Sequence, residues 1–137
     1  MAYATSADVQ ARIGAIQTIG AGTTPTTTQV STWLDEYSAD VDAVLTAAGY
    51  ATIPATGTND LNLLQGRVAQ IAAAEAIDVM TGYLGLAPEQ SDIEYWRKKW
   101  DTFLTDLRSG KMKLIDQGTT GAGSIRMIRA SVYGSDD

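Results

Sequence analysis

The chain has 137 residues, which suffice for one domain with a core of its own. It contains no cysteine and no histidine, which excludes disulfides, thiolate nucleophiles, histidine general bases and the commonest transition-metal sites. Its net charge of −6 argues against a protein that grips nucleic acid, because neutralising phosphates requires a dense basic face. We therefore expect a protein that is not an enzyme and that needs no cofactor.

The charged residues are unevenly distributed along the chain. Residues 1–96 carry 11 acidic side chains and only 2 basic ones, Arg12 and Arg67. Residues 97–137 carry 8 basic and 5 acidic side chains. Two explanations stay open: a short chain scatters its charges by chance, or the basic end of one copy meets an acidic surface on another copy or on a partner.

The N-terminal part predicts a short helix and a long loop. Residues 1–6 have neither the basic nor the apolar region of a signal peptide, so we expect a soluble protein made in a cytoplasm, with no membrane span. A helix is predicted from about Ser6 to Ile13, with Thr5 and Asp8 as a capping arrangement. The loop around 20–28 is rich in threonine and glycine, and Pro25 blocks a helix there.

The clearest helix follows this loop. Thr27 or Thr28 is predicted to cap its start, and Gly49 suits the left-handed position just past its end. Its apolar residues recur with helical spacing on one face: Val30, Trp33, Leu34, Tyr37, Val41, Val44, Leu45 and Ala48. Its acidic residues lie mostly off that face and are expected to be solvated: Asp35, Glu36, Asp40 and Asp42.

A third helix is predicted to open at Asn59 or Asp60, after a linker over residues 50–59, and to reach about Leu84. Its apolar positions wrap more than one face and include the run Ala72-Ala73-Ala74. A helix that is apolar almost all round is typical of the middle of a bundle, and small residues let its neighbours approach closely. We therefore expect this helix to be the central one.

A fourth helix is predicted from a capping box formed by Ser91 and Glu94, and Gly110 ends it. Its apolar residues form a single stripe: Ile93, Trp96, Trp100, Phe103, Leu104 and Leu107. The expected fold class is thus all-α, a small bundle of about four helices, one short and three long, over residues 1–116. It carries a long Thr/Gly loop and is followed by a flexible C-terminal tail.

Residues 117–137 are predicted to form a Gly-rich linker and an interaction tail. The stretch 118–124 is a flexible linker by composition, and it lacks the lysine that a phosphate-binding loop requires. The segment after it is β-prone, mixes apolar with basic residues and finds no partner strand earlier in the chain. We expect it to contact another surface through Ile125, Arg126, Met127, Ile128, Arg129, Val132 and Tyr133.

Glu75 and Asp78 are the first candidate site, because they lie three residues apart on the third helix. Paired carboxylates hold metals or divide the roles of acid and base. The helical di-metal proteins, however, also use a histidine, and this chain has none. We expect one of the two to pair with Arg67 or with an arginine from another helix, or to face a subunit boundary.

Arg97, Lys98 and Lys99 are the second candidate site. With Trp96 and Trp100 beside them, they resemble a basic, stacking surface for nucleic acid. Both tryptophans fall on the apolar stripe, however, which favours a role in the core or at an interface. The three charges are then expected to form an exposed edge of an interface.

The order of these elements resembles the head–tail connector family of long-tailed bacteriophages, also called head-completion adaptors. The resemblance covers about residues 3–115. Its residues are Tyr3-Ala4-Thr5-Ser6-Ala7-Asp8-Val9, Val41-Asp42-Ala43-Val44-Leu45, Ala48-Gly49-Tyr50, the alanine-rich stretch from Val68 to Ile77, and Phe103-Leu104-Thr105-Asp106-Leu107-Arg108-Ser109-Gly110 with Leu114. The loop at 20–28 and the extension past Asp116 are not part of the family pattern.

The resemblance implies a structural virion protein that forms a ring of about twelve copies through a heterologous interface. The ring would join the capsid portal to the next neck, stopper or tail protein, and DNA would pass through its lumen without being read. An acidic wall suits that task, because it repels phosphates. We expect the loop residues Thr23, Thr24 and Pro25 and the tail to reach the portal or neighbouring subunits at the virion neck.

Three other interpretations stay open. The first is a nucleic-acid-binding helical module, such as a packaging or regulatory subunit, for which only Arg97–Lys99 offers a basic face. The second is an enzyme or metalloprotein built on Glu75 and Asp78. The third is a generic helical adaptor from another assembly, which would share nearly all of these features.

Overall fold

The computed structural model describes residues 2–14, 16–84 and 90–115, without the side chains of residues 83, 84 and 90–92. Within these ranges it contains four helices: α1 (Ser6–Ile13), α2 (Thr27–Ala48), α3 (Thr58–Leu84) and α4 (Gln90–Ser109). The expected all-α bundle of one short and three long helices is confirmed. The predicted linker and tail, residues 117–137, lie outside the described residues.

The helix starts follow from local hydrogen bonding. At α1, Asp8 N–H donates to Thr5 Oγ1 at 3.3 Å and Thr5 N–H donates to Asp8 Oδ2 at 2.8 Å, which confirms the capping arrangement. At α2 the cap is Thr26, not Thr27 or Thr28 as expected. The reason is Gln29, whose Oε1 accepts the Thr26 N–H at 2.9 Å and so completes a box with the residue three positions before it.

The long helices alternate in direction around α3. Along α3, Asp60, Arg67 and Glu75 meet Ile115, Phe103 and Arg97 in turn, so α4 runs antiparallel to α3. Tyr37 in α2 and Tyr50 just after it meet Trp100 and Leu114, so α2 runs parallel to α4. The central position predicted for α3 is confirmed, because it packs against α1, α2 and α4.

The core is built from the apolar faces of all four helices. The side chains of Leu34, Leu45, Leu64, Met80, Ile93 and Leu107 are less than 2% exposed. The buried side of α3 is rich in alanine: Ala69, Ala72, Ala73, Ala74 and Ala76 are at most 1% exposed. Next to them Trp100 packs edge-on against Tyr37, with ring centroids 5.5 Å apart. Small residues on α3 and large ones on its neighbours interdigitate, as close packing requires.

Tyr3 ties the N-terminal segment to two other parts of the chain. Its N–H donates to Ser38 Oγ at 2.9 Å, and its hydroxyl donates to Asp42 and accepts the N–H of the buried Ala55 at 2.8 Å. Burial and the hydrogen bond to Asp42 raise the pKa of Tyr3 above its usual range. Asp42, expected to be solvated, is therefore a half-buried acceptor in this network.

We expect Tyr3→Phe to lower the free energy of unfolding by about 1–3 kcal/mol, because the buried Ala55 N–H and the Asp42 carboxylate both lose their partner. Urea denaturation followed by circular dichroism measures the change. Tyr95→Phe is the matched control, because the Tyr95 side chain is 58% exposed. Removal of its hydroxyl should change the free energy of unfolding little. Equal stabilities for the two variants would contradict a structural role for the Tyr3 hydroxyl.

Residues 110–115 are held against the beginning of α3. Gly110 ends α4 with φ at 84°. Leu114 N–H then donates to the Tyr50 hydroxyl at 2.9 Å, and Ile115 N–H donates to Asp60 Oδ1 at 3.0 Å. Leu114 is 6% exposed and its hydrogen bond is buried, whereas the hydrogen bond from Ile115 to the buried Asp60 is partly buried. The chain therefore leaves the bundle from a fixed point, at the end where α2 stops and α3 begins.

Candidate interaction site

The loop between α1 and α2 is folded onto itself. Gly20 N–H donates to Thr23 Oγ1 at 2.9 Å, and the Thr23 hydroxyl donates to the Pro25 carbonyl at 2.7 Å. Pro25 is less than 2% exposed, so its side chain belongs to the interior and not to the outer surface that the sequence suggested. Thr23 and Thr24 are half-buried. Any partner at this loop would meet these threonines and the neighbouring glycines.

Glu75 and Asp78 face Arg97 across the α3–α4 contact. One nitrogen of Arg97, Nη2, lies 3.0 Å from Glu75 Oε1 and 3.0 Å from Asp78 Oδ2. The expected pairing with an arginine from another helix is thus confirmed, and Arg97 is the arginine. The burial of Tyr37, and next the nearby Glu75 charge, raise the pKa of the Tyr37 hydroxyl to about 12. This cluster holds helices together.

The three consecutive charges 97–99 do not form one surface. Arg97 turns towards the carboxylates of α3, whereas Lys98 is exposed. The Nζ atom of Lys99 lies 5.7 Å from the centroid of the Tyr95 ring. Lys99 also lines a groove formed with residues of α1 and α3, to which Arg97 and Lys98 do not belong. Trp100 is buried in the core and Trp96 packs partly against it, so neither offers an open ring to a base. The structure separates the basic patch that the sequence suggested.

A different set of cations does converge, in a groove that we call the basic groove. It has a volume of about 320 Å³ and is lined by residues of α1, α3 and α4: Arg12, Asn62, Leu63, Gly66, Arg67, Gln70 and Lys99. Its floor is α3, on which residues 63, 66, 67 and 70 share one side by their helical spacing. No acidic residue lines it. Arg12, Arg67 and Lys99 thus meet although they lie far apart in the sequence.

The cations of the basic groove are positioned by packing. A Cβ built on Gly66 would lie 3.5 Å from Arg12 Nη2, so the guanidinium rests directly on the bare backbone of α3. The Arg67 guanidinium lies 5.6 Å from the centroid of the Phe103 ring, which favours the cation. None of the three forms a salt bridge with a described residue. Their positive charges are therefore not neutralised by direct contact.

The outer side of α2 has the opposite charge. Asp35, Glu36 and Asp40 are exposed, and we call them the acidic face. The helix contains no basic residue, and none of the three carboxylates forms a salt bridge with a described residue. Because Leu34, Ser38 and Val41 bury the other side of α2, the acidic face points away from the bundle.

Two further features, a metal-holding cluster and a membrane-spanning helix, are not found in the described ranges. There, no group of three or more carboxylates is gathered closely enough to hold a metal ion. In the same part of the chain, no helix has the length and apolar character needed to cross a membrane. The predicted tail contacts, Ile125 to Tyr133, lie outside the described residues.

The basic groove could not be read from local patterns. Its cations come from three helices, so their convergence depends on how the helices rotate about one another. One signal was available: Arg12 and Arg67 are the only basic residues before Arg97, and both lie in the groove.

Comparison with known proteins adds nothing to this description, because no protein-family model, no curated protein and no solved structure matches the chain.

Proposed function

We propose that this chain is a non-catalytic subunit of a phage head–tail connector. Copies assemble into a ring that joins the capsid portal to the neck or tail, and DNA passes through the ring without being read. The proposal begins from the resemblance of residues 3–115 to that family, and two features of the fold support it.

The anchoring of the C-terminal segment is the observation that carries the proposal. The N–H groups of Leu114 and Ile115 are hydrogen-bonded to Tyr50 and Asp60 of the bundle, so the 22 residues from 116 to 137 start from a fixed point. A rigid body with an extension of fixed origin suits a protein that links two larger assemblies. The apolar and basic residues of 125–133 give that extension the means to bind a surface.

The charge distribution supports passage of DNA better than binding of DNA. The net charge is −6. A surface of this sign repels phosphates, which lets a duplex move past without being held.

Truncation tests the proposal. A chain cut after Gly118 should stay helical and soluble by circular dichroism, because the cut lies beyond every described contact of the bundle. It should fail to join portal-bearing heads of the same phage, as measured by co-sedimentation. A chain cut after Tyr133 is the matched control and should join normally. If the chain cut after Gly118 joins heads as the full chain does, the tail is not the linking element.

A nucleic-acid-binding module is the second candidate, and the basic groove is the observation that favours it. Arg12, Arg67 and Lys99 are unneutralised cations of the kind that bind phosphates. Binding of this kind weakens steeply with salt, so a mobility shift of duplex DNA at low micromolar protein that disappears with added salt would support it. The connector proposal expects no such shift.

A further inference from the structure

We propose that the basic groove receives the acidic face of α2 from a second copy of this chain, so that copies associate head to tail. The inference rests on the ring-forming function proposed above and assigns the contact between neighbouring subunits. Each copy would offer Arg12, Arg67 and Lys99 on one side and Asp35, Glu36 and Asp40 on another.

The residues that line the basic groove include no anion, and the nearby Asp8, in the adjoining pocket, interacts with Arg12 alone of the three cations. Three cations surround a volume of about 320 Å³ without an acidic residue among its lining. A carboxylate is the acceptor that arginine binds most strongly. Asn62 and Gln70, which also line the groove, offer further donors to a carboxylate.

The acidic face has the matching form. Glu36 and Asp40 are four residues apart on α2, so their Cβ atoms lie about 5–6 Å from each other, and Asp35 lies to one side of this pair. All three are exposed and lack a basic neighbour on their own helix. A row of carboxylates one helical turn long fits a groove whose cations come from three helices.

The two surfaces of one copy cannot meet each other. The acidic face points outwards from α2, whereas the basic groove is lined by α1, α3 and α4, with no residue of α2. They therefore pair only between copies, with the groove of one against the helix of the next. Such a heterologous contact generates a ring when its rotation closes, which is the assembly that the connector function requires.

A second copy fits the groove better than nucleic acid does. The chain carries an excess of six negative charges, which repels a duplex whose phosphates are all negative. The same excess acts between two copies, but a second copy presents both charge signs, so opposite charges meet at each contact. A second copy brings the acidic face and the basic groove in equal numbers, so every site in a closed ring is filled.

Charge reversal on each side, followed by mixing, tests the contact. The groove variant is Lys99→Glu and the face variant is Glu36→Lys with Asp40→Lys, in the full-length chain. Lys98→Glu and Asp101→Lys are matched controls, because both residues are exposed on α4 and neither lines the groove. Association is measured by sedimentation velocity over a range of protein concentration, and circular dichroism checks that each variant stays helical.

The wild-type chain and both controls should associate, and each charge-reversed variant alone should associate about tenfold more weakly or worse. An equimolar mixture of the groove and face variants should regain association, because the acidic groove of one then meets the basic helix of the other. Association of either variant at wild-type strength overturns the proposal. So does a mixture that does not recover, or a wild-type chain that stays monomeric up to millimolar concentration.

Cysteine cross-linking locates the contact independently, since the natural chain has no cysteine. Ala43→Cys lies on the outer side of α2 and Asn62→Cys lies at the groove, and both positions are exposed. A mixture of the two should form a disulfide-linked dimer under oxidising conditions, several-fold more than Ala43→Cys with Thr105→Cys, an exposed position on α4. Equal yields from both mixtures overturn the proposal.

Two further outcomes separate the alternatives. If wild-type protein binds duplex DNA and Lys99→Glu abolishes that binding without changing association, the groove is a nucleic-acid site and the proposed contact is wrong. If the charge-reversed variants lose association and their mixture regains it, but the assembled chain never joins a portal, the proposed contact is correct and the connector function is wrong. If the mixture of charge-reversed variants does not regain association, but the wild-type chain joins heads normally, the subunit contact lies elsewhere on the surface.

Discussion

Replacing Trp100 by alanine is expected to lower the free energy of unfolding by about 3–5 kcal/mol, as for other large aromatic residues removed from a core. The Trp100 side chain is 6% exposed and packs α4 against α2. Its ring lies 5.5 Å from that of Tyr37 in α2 and 5.8 Å from that of Phe103, centroid to centroid, and Phe103 in turn holds Arg67 of α3. Urea unfolding of the variant and the wild type measures the difference.

Tyr95→Ala is the control for this substitution. Tyr95 lies on the same helix, but its side chain is 58% exposed and its described ring contact is with Lys99. We expect it to change the unfolding free energy by about 0.5 kcal/mol or less. Should Trp100→Ala unfold at the same urea concentration as Tyr95→Ala, the tryptophan would not be a centre of the core, and the packing described for α2, α3 and α4 would be incorrect.

Ala73→Leu is expected to lower the free energy of unfolding by about 1–3 kcal/mol or more through overpacking. Ala73 is 0% exposed on a helix that is enclosed by three others, and its alanine neighbours on both sides are equally buried. A leucine side chain needs space that only a shift of a whole helix would provide. Alanine and leucine have similar helix propensities, so the loss reports on packing and not on the helix itself.

The matched control is Ala39→Leu, on the exposed side of α2. It adds the same atoms to a helix with no neighbour at that side and should leave the unfolding transition within about 0.5 kcal/mol of wild type. Thermal unfolding followed by circular dichroism compares the two variants directly. A bundle in which Ala73→Leu is as stable as Ala39→Leu would have room around α3, contrary to its central placement.

The helices were predictable because the three long ones have apolar residues at helical spacing, and because helix ends carry local signals. Thr5 and Asp8 capped α1 as expected, and Gly49 adopts the left-handed conformation, with φ at 91°, that the end of α2 requires. The start of α2 differed, since three consecutive threonines compete for one cap and Gln29 decides between them. Such caps can be predicted from the sequence when the residue three positions after each candidate cap is considered as its hydrogen-bond partner.

The side chains that face one another across helices were less predictable. The pairing of Glu75 and Asp78 with a distant arginine was foreseen, but Arg97 could not be singled out from spacing alone. Pro25 is buried although it lies in a loop, and Asp42 accepts a hydrogen bond from the Tyr3 hydroxyl although it was expected to be solvated. In both cases tertiary contacts outweigh the polar or loop-forming character of the single residue. The basic groove, with one cation from each of α1, α3 and α4, depends entirely on the relative rotation of the helices.

The anchoring of Leu114 and Ile115 has a mechanical consequence. Tension applied to the chain beyond residue 115 enters the bundle at Tyr50 and Asp60, before it reaches α4. Tyr50 follows α2 directly and Asp60 lies in the first turn of α3, so the load divides between two helices and cannot peel α4 away by itself. A subunit pulled by its C-terminal end would therefore resist as a whole body.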